Sequence, residues 1–244
     1  MRKTVVLDLD GTVYLGDHPV KPAIHAIYAL RDHGYSVLYA TNNSTKTRHQ
    51  ISDKLLKMGI ENNPNDIYTS LYTTVNYLMK KKIYDIVLVG SAEFENILQH
   101  YGIHMVPPKD AEAVVVGLDI SCDYTQIAQA AEALLSGAQF IACNLDANYP
   151  AENQRLLPGC NTMVSALTGA TQIKPHHIIG KPSTYILEDI AHDYQLGADD
   201  IWVIGDSIES DIRMAEAYGC SSILIDQTEL SWHKALQTIT GGIQ

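Results

Sequence analysis

The chain has 244 residues, 46% of them hydrophobic and 18% charged, with a mean hydropathy of −0.06. That is enough apolar material for one large domain or two modest ones, and it excludes a disordered chain. A formal net charge of −11 leaves no basic footprint for a phosphate backbone, and no stretch approaches the roughly 20 apolar residues of a membrane span, so neither nucleic acid nor membrane is expected as a partner.

In chain order, Met1-Arg2-Lys3-Thr4 runs straight into an apolar strand at residues 4–7, without the h-region of a signal peptide. A helical pattern at 22–33, a strand at 36–40, a helix at 47–58 and a short strand at 66–69 follow. Pro22 sits where a first-turn proline is tolerated, and Gly34 and Gly59 sit where helices end.

The middle repeats the alternation. Helices are predicted at 71–82, 93–100 and 124–135, with strands at 85–89, 113–117 and 139–143. The last part carries a helix at 183–194, a strand at 200–204, a helix at 209–218 and a strand at 222–225. Strands spaced by helices predict an α/β fold with a parallel sheet covered on both faces. Connectors near Ser70 and at 171–179 are not flexible Gly/Ser linkers, which predicts an inserted domain rather than tandem ones.

Four segments carry chemistry. Asp8-Leu9-Asp10-Gly11-Thr12 closes the first strand. Side chains alternate along a strand, so Asp8 and Asp10 share a side, at the carboxyl end where parallel sheets bind ligands. Two carboxylates this close suit phosphoryl transfer, one as nucleophile and the other as general acid and base. An isolated D-x-D would more simply be a turn; the D-L-D-G-T context after an apolar strand argues for a site.

Thr41-Asn42-Asn43-Ser44 follows the second strand. It offers a hydroxyl and backbone N–H groups to an anion, and Asn43 or Ser44 is also suited to capping the next helix. Gly180-Lys181-Pro182 would present one cation from a fixed backbone, ahead of a helix started by the proline. Gly205-Asp206-Ser207-Ile208-Glu209-Ser210-Asp211 places Asp206 at another strand end and Asp211 in the first turn of a helix, where an acid also suits the helix dipole. Asp8, the backbone carbonyl of Asp10 and Asp206 would make a hard-oxygen set for Mg²⁺, with Asp211 behind them.

These four segments, in this order, resemble the haloacid dehalogenase (HAD) superfamily of phosphatases. The resemblance is strongest to subfamily IIA, the NagD-like and 4-nitrophenyl phosphatase-like proteins, and extends over essentially the whole chain. It implies a Rossmann-like HAD core of residues 1–70 and 178–244, with an α/β cap of the C2 type inserted at 71–177. The middle segment is similar to that cap through Val114-Val115-Val116-Gly117-Leu118-Asp119, Asn144-Leu145-Asp146 and Leu157-Pro158-Gly159.

By this resemblance Asp8 is the nucleophile and Asp10 the general acid and base. Thr41, Asn42 and Lys181 bind the phosphoryl group. Asp8, Asp10 and Asp206 hold Mg²⁺ with Asp211 beside them, and the loop bearing Asn144 and Asp146 faces the leaving group. The implied reaction is hydrolysis of small phosphate monoesters, of the sugar phosphate or nucleotide monophosphate class, through an aspartyl-phosphate. A phosphotransferase, a dehalogenase-type hydrolase or a non-catalytic binding protein on the same fold stay open at this point. Asp10 argues for phosphate, since expelling an alkoxide benefits from an acid and expelling a halide does not.

The partner implied is a small phosphorylated metabolite, and a homodimer joined through the cap fits the family. The four cysteines, Cys122, Cys143, Cys160 and Cys220, show no C-x-x-C spacing and read as reduced thiols of a cytoplasmic protein. His176 and His177 read as linker or surface residues, because adjacent side chains diverge and no third ligand is evident.

Overall fold

Val5 and Leu7 lie on one side of the strand Thr4–Leu7 and Val6 on the other, as strand alternation requires. The two sets enter different cores. Val5 and Leu7 join Val37, Tyr39, the helix residues Ala23, Ile27 and Leu30, and Trp232, Ala235 and Ile239. Val6 joins Leu38, Ala40, Ile201 and Val203 with Ile186, Leu187, Ile190 and Met214. A parallel sheet with helices on both faces needs apolar residues at every strand position, and these strands supply them.

The computed structural model describes residues 3–150 and 155–241. The chain divides into two compact units, one of residues 1–41, 48–68 and 181–244, the other of residues 42–47 and 69–180. The first is built on a five-stranded sheet in the order Ser221–Leu224, Ile201–Gly205, Thr4–Leu7, Ser36–Thr41, Ile67–Thr69. Thr4–Leu7 pairs in parallel with both neighbours, Leu7 lying opposite Ile204 on one side and Tyr39 on the other. From this central strand the chain first moves one way across the sheet and later returns on the other side. The strand order therefore reverses between Thr4–Leu7 and Ile201–Gly205, and that switch point leaves a crevice at their carboxyl ends.

The second unit has its own five-stranded sheet, in the order His177–Ile178, Gln139–Ala142, Ala113–Val116, Asp85–Val89, His104–Met105, with every pair parallel. One face packs Val87, Val114, Val116 and Phe140 against Ala130 and Ala133 of the helix Tyr124–Leu135 and Val164 and Leu167 of the helix Asn161–Thr171. A capping box between Asp123 and Gln126 starts the first of these helices.

The strands and helices predicted from the sequence are present, with shifts at several ends. The helix expected at 183–194 spans Tyr185–Tyr194; residues 181–184 form turns, so Pro182 precedes the helix instead of starting it. The helix expected at 209–218 is a wider π-helical turn, Ile208–Ile212, followed by Arg213–Tyr218. His177 is a strand residue opposite Ile141 and not part of a linker, and His176 Nδ1 accepts a hydrogen bond from the Phe140 N–H. The hairpin of Tyr14–Leu15 with His18–Pro19, the helix Asn161–Thr171 and the helix Glu229–Thr240 are additional to the predicted elements. Among the described residues no helix is long and apolar enough to cross a membrane.

Candidate active site

Asp8 follows the central strand and stays attached to the sheet, its N–H donating to the Ile204 carbonyl at 2.9 Å. Asp206 follows the neighbouring strand, which ends at Gly205. The switch point thus brings two carboxylates, 198 residues apart in sequence (206 − 8), to one end of the sheet. Asp211 joins them from the π-helical turn, where the Ile212 N–H reaches back to the Ser207 carbonyl at 3.2 Å. One carboxylate oxygen from each of Asp8, Asp206 and Asp211 lies within 4.8 Å of the others.

Lys181 enters this acidic group from the turn before the helix Tyr185–Tyr194. Its Nζ donates to Asp8 Oδ1 at 2.5 Å, Asp211 Oδ1 at 2.6 Å and the Ala40 carbonyl at 3.3 Å. The side chain is 3% exposed. Burial alone would disfavour the ammonium, but Asp211 and Asp8 outweigh it and the Lys181 pKa rises. The Ala40 contact brings the end of the strand Ser36–Thr41 to the same place, and Thr41, its last residue, is buried.

Asp8 has both carboxylate oxygens engaged. Lys181 holds Oδ1, and the buried Thr12 hydroxyl is 3.1 Å from Oδ2 and 3.3 Å from Asp206 Oδ1. Burial pushes the Asp8 carboxyl up to about 7; Lys181 opposes the rise and the charge of Asp211 adds to it. Asp206 is raised by burial and then by Asp211. Burial disfavours the charged form of Asp8 and of Asp206, Asp211 brings a third carboxylate to the same place, and Lys181 supplies one unit of positive charge. A hard divalent cation would supply the rest, so the donor set fits Mg²⁺.

Two glycines make this clustering sterically open. A Cβ on Gly11, which has φ of +94°, would sit 2.1 Å from Asp206 Oδ2. A Cβ on Gly205 would lie 2.3 Å from Asp211 Cγ. Asp206 and Asp211 occupy the space that ordinary side chains would fill.

Asp10 is exposed, and its carboxylate is not among the three that converge; its Oδ2 accepts a hydrogen bond from the Tyr14 hydroxyl at 3.1 Å. Asn42, Asn144 and Asp146 form a separate group within the second unit. The Asn42 Nδ2 donates to Asp146 Oδ1 at 3.0 Å, and the Asn42 carbonyl accepts from Asn144 Nδ2 and from Ser70 Oγ, each at 2.7 Å. Asn144 Oδ1 accepts from the Asp146 N–H at 3.1 Å. Thr41 and Asn42, neighbours in sequence, therefore belong to different units.

Asn43 and Ser44 do not cap the helix, which runs Arg48–Lys57. Asn43 Oδ1 instead accepts from the N–H groups of Thr45 and Lys46, closing a turn, and the buried Ser44 hydroxyl accepts from the Leu118 N–H. All four cysteines are free. Burial pushes the Cys160 thiol up to about 12 and raises Cys143 as well, so neither has the character of a nucleophile. Thr12 was part of the D-L-D-G-T motif but had no role read from it, and Tyr14 went unnoticed; the one available signal was a phenol four residues after Asp10.

A carboxylate cluster partly offset by one lysine, at the switch point of a parallel sheet, has the donors to hold a hard cation and, through it, an anionic group. Comparison with known proteins places it more closely. A model of haloacid dehalogenase-like hydrolases matches residues 5–104, and a HAD-hydrolase-like model matches residues 178–236. An acid sugar phosphatase of Staphylococcus haemolyticus is 33% identical over 237 residues, 96% of this chain and 89% of that one. The p-nitrophenyl phosphatase from Archaeoglobus fulgidus superposes with a TM-score of 0.87 at 26% identity, covering 98% of this chain and 93% of that one. A glycerol phosphate phosphatase from Mycobacterium tuberculosis, solved in complex with magnesium, superposes with a TM-score of 0.84 at 28% identity, covering 93% of this chain and 68% of that one. The chain belongs to the haloacid dehalogenase-like hydrolases, as a phosphatase of the NagD-like subfamily IIA.

Proposed function

We propose that this phosphatase hydrolyses phosphate monoesters of small metabolites, of the sugar phosphate or nucleotide monophosphate class, with Mg²⁺ and through an aspartyl-phosphate on Asp8. The observation that carries the reading is the setting of Asp8. It is a buried carboxylate at the end of the central strand, held at one oxygen by Lys181 and met at the other by Thr12. A nucleophile needs a fixed direction of attack, and two contacts on one carboxylate supply it.

In this reading an Asp8 oxygen attacks phosphorus in line. The bond from phosphorus to the ester oxygen breaks, and Asp10 gives that oxygen its proton. Asp10, now a carboxylate, takes a proton from water as the water oxygen attacks phosphorus. The bond from phosphorus to Asp8 then breaks and inorganic phosphate leaves. Lys181 and Thr41 bind phosphoryl oxygens, with Asn42 following Thr41 in the chain. Mg²⁺, held by Asp8, the Asp10 carbonyl and Asp206 with Asp211 behind, would supply positive charge to the phosphoryl group when bound.

The unit of residues 42–47 and 69–180 is assigned the role of cap, with Asn144 and Asp146 on its substrate-selecting loop. A cytoplasmic location accords with the four free cysteines. The substrate class accords with relatives named for sugar phosphates and glycerol phosphate. The test is hydrolysis of 4-nitrophenyl phosphate with Mg²⁺ and with EDTA, by the wild type and by Asp8→Asn, followed by a panel of sugar phosphates and nucleoside monophosphates. Metal-dependent turnover that vanishes in Asp8→Asn is expected. Activity that survives that substitution would remove Asp8 as the nucleophile.

A further inference from the structure

Asp10 is an exposed carboxylate just before a turn, and such a side chain ordinarily samples several rotamers. Here it meets a rigid partner. The Tyr14 hydroxyl donates to Asp10 Oδ2 at 3.1 Å, and Tyr14 itself is 4% exposed. The backbone ties the two residues together. The Tyr14 N–H donates to the Leu9 carbonyl at 3.1 Å, and the Tyr14 carbonyl accepts from the Gly11 N–H at 2.9 Å. On its outer side Tyr14 pairs with Pro19 across the hairpin.

The ring is held as well. It packs in the core that contains Val5, Leu7 and Ile27. Lys54, on the helix Arg48–Lys57, sets its ammonium 3.8 Å from the ring centroid, and the same ammonium is 3.7 Å from Asp17 on the hairpin. A phenylalanine would fill this core equally well. The hydroxyl adds nothing to packing and costs desolvation unless an acceptor meets it; Asp10 is that acceptor.

We propose that Tyr14 is a positioning residue for the acid–base half of the reaction: its hydrogen bond holds the Asp10 carboxyl in one orientation and leaves Oδ1 to serve the ester oxygen and then the water. This rests on the reading of Asp10 as general acid and base. The need for a well-aimed acid grows with the basicity of the leaving group. Alkyl esters depend on it and nitrophenyl esters scarcely do.

The experiment compares Tyr14→Phe with the wild type on glycerol phosphate and on 4-nitrophenyl phosphate, reading kcat/KM, which stops at phosphoryl transfer to Asp8. Tyr14→Phe keeps the ring, its burial and the Lys54 contact, and its thermal midpoint serves as a check on folding. The expected result is a loss of about tenfold on the alkyl ester, the scale of one hydrogen bond to a charged group, with little change on the aryl ester. Asp10→Asn should show the same discrimination more strongly, and adding Tyr14→Phe to it should cost nothing further.

Equal losses on both esters, no loss on either, or an additive loss in the double variant would each overturn the positioning role while leaving Asp10 in place. An Asp10→Asn enzyme with no leaving-group discrimination would instead remove the acid–base reading on which the proposal stands.

Discussion

The ammonium of Lys181 lies 2.6 Å from Asp211 Oδ1, and both side chains are almost completely enclosed. The same ammonium bridges to Asp8, so one positive charge is shared by two buried carboxylates. Breaking such a group by removing its cation leaves charge buried without compensation, which typically costs about 3–5 kcal/mol. Lys181→Met should therefore destabilise the protein on that scale at pH 8 in EDTA, measured by urea unfolding. A variant as stable as the wild type would mean that the carboxylates shed their charge more cheaply than this geometry implies.

The pH dependence has a definite sign. Asp8 is raised from 3.8 to about 7 in the folded protein. A carboxyl whose folded pKa is raised favours the folded state at low pH and loses that contribution as pH rises from its unfolded value to its folded one. In EDTA, the difference in stability between wild type and Asp8→Asn should shift in favour of the wild type as pH falls from about 7 toward about 4, the span between the two pKa values. Thermal unfolding of both proteins across that range checks it; parallel curves would contradict the assignment of the shift to Asp8.

Adding Mg²⁺ should raise the thermal midpoint, because a ligand that binds only the folded state stabilises it by mass action, about 2.7 kcal/mol at a hundred times Kd. Asp206→Ala should largely abolish the rise while leaving the fold intact, since the Asp206 side chain lies in the open part of the cluster and outside both cores. An undiminished rise in the variant would move the cation elsewhere.

Gly205→Ala tests the steric basis of the cluster. The new methyl would fall 2.3 Å from Asp211 Cγ, so Asp211 must move and its bond to Lys181 must break or stretch. A loss of about 1–3 kcal/mol in stability is expected together with a large fall in phosphatase activity. A variant with both properties unchanged would show that Asp211 has room to relocate without consequence.

Periodicity read the α/β alternation, and position near a strand end or an expected helix start marked Asp8, Lys181, Asp206 and Asp211 as candidates, to which the family resemblance gave their roles. Each sits just after an apolar strand or beside a helix start, and those local patterns are written in neighbouring residues. The hairpin at Tyr14 escaped because its strands are two residues each, too short for any period. The helix Asn161–Thr171 escaped because it starts at Cys160 without a side-chain cap and carries Gly169 in its interior. The last helix did carry a signal, Thr228 at its cap and Trp232, Ala235 and Ile239 on one face.

By itself the sequence determined which residues stand at strand ends and which carry groups able to ionise or hydrogen-bond there, because these depend on residue type and local spacing. Long-range packing decided the remainder. That Lys181 reaches Asp8 across 173 positions, that Asn42 grips Asp146 while Thr41 stays with the first sheet, and that Asp10 turns to Tyr14 are consequences of strand order and core packing. A contact between distant segments costs loop-closure entropy and forms only when the intervening chain has folded, so local pattern carries no record of it.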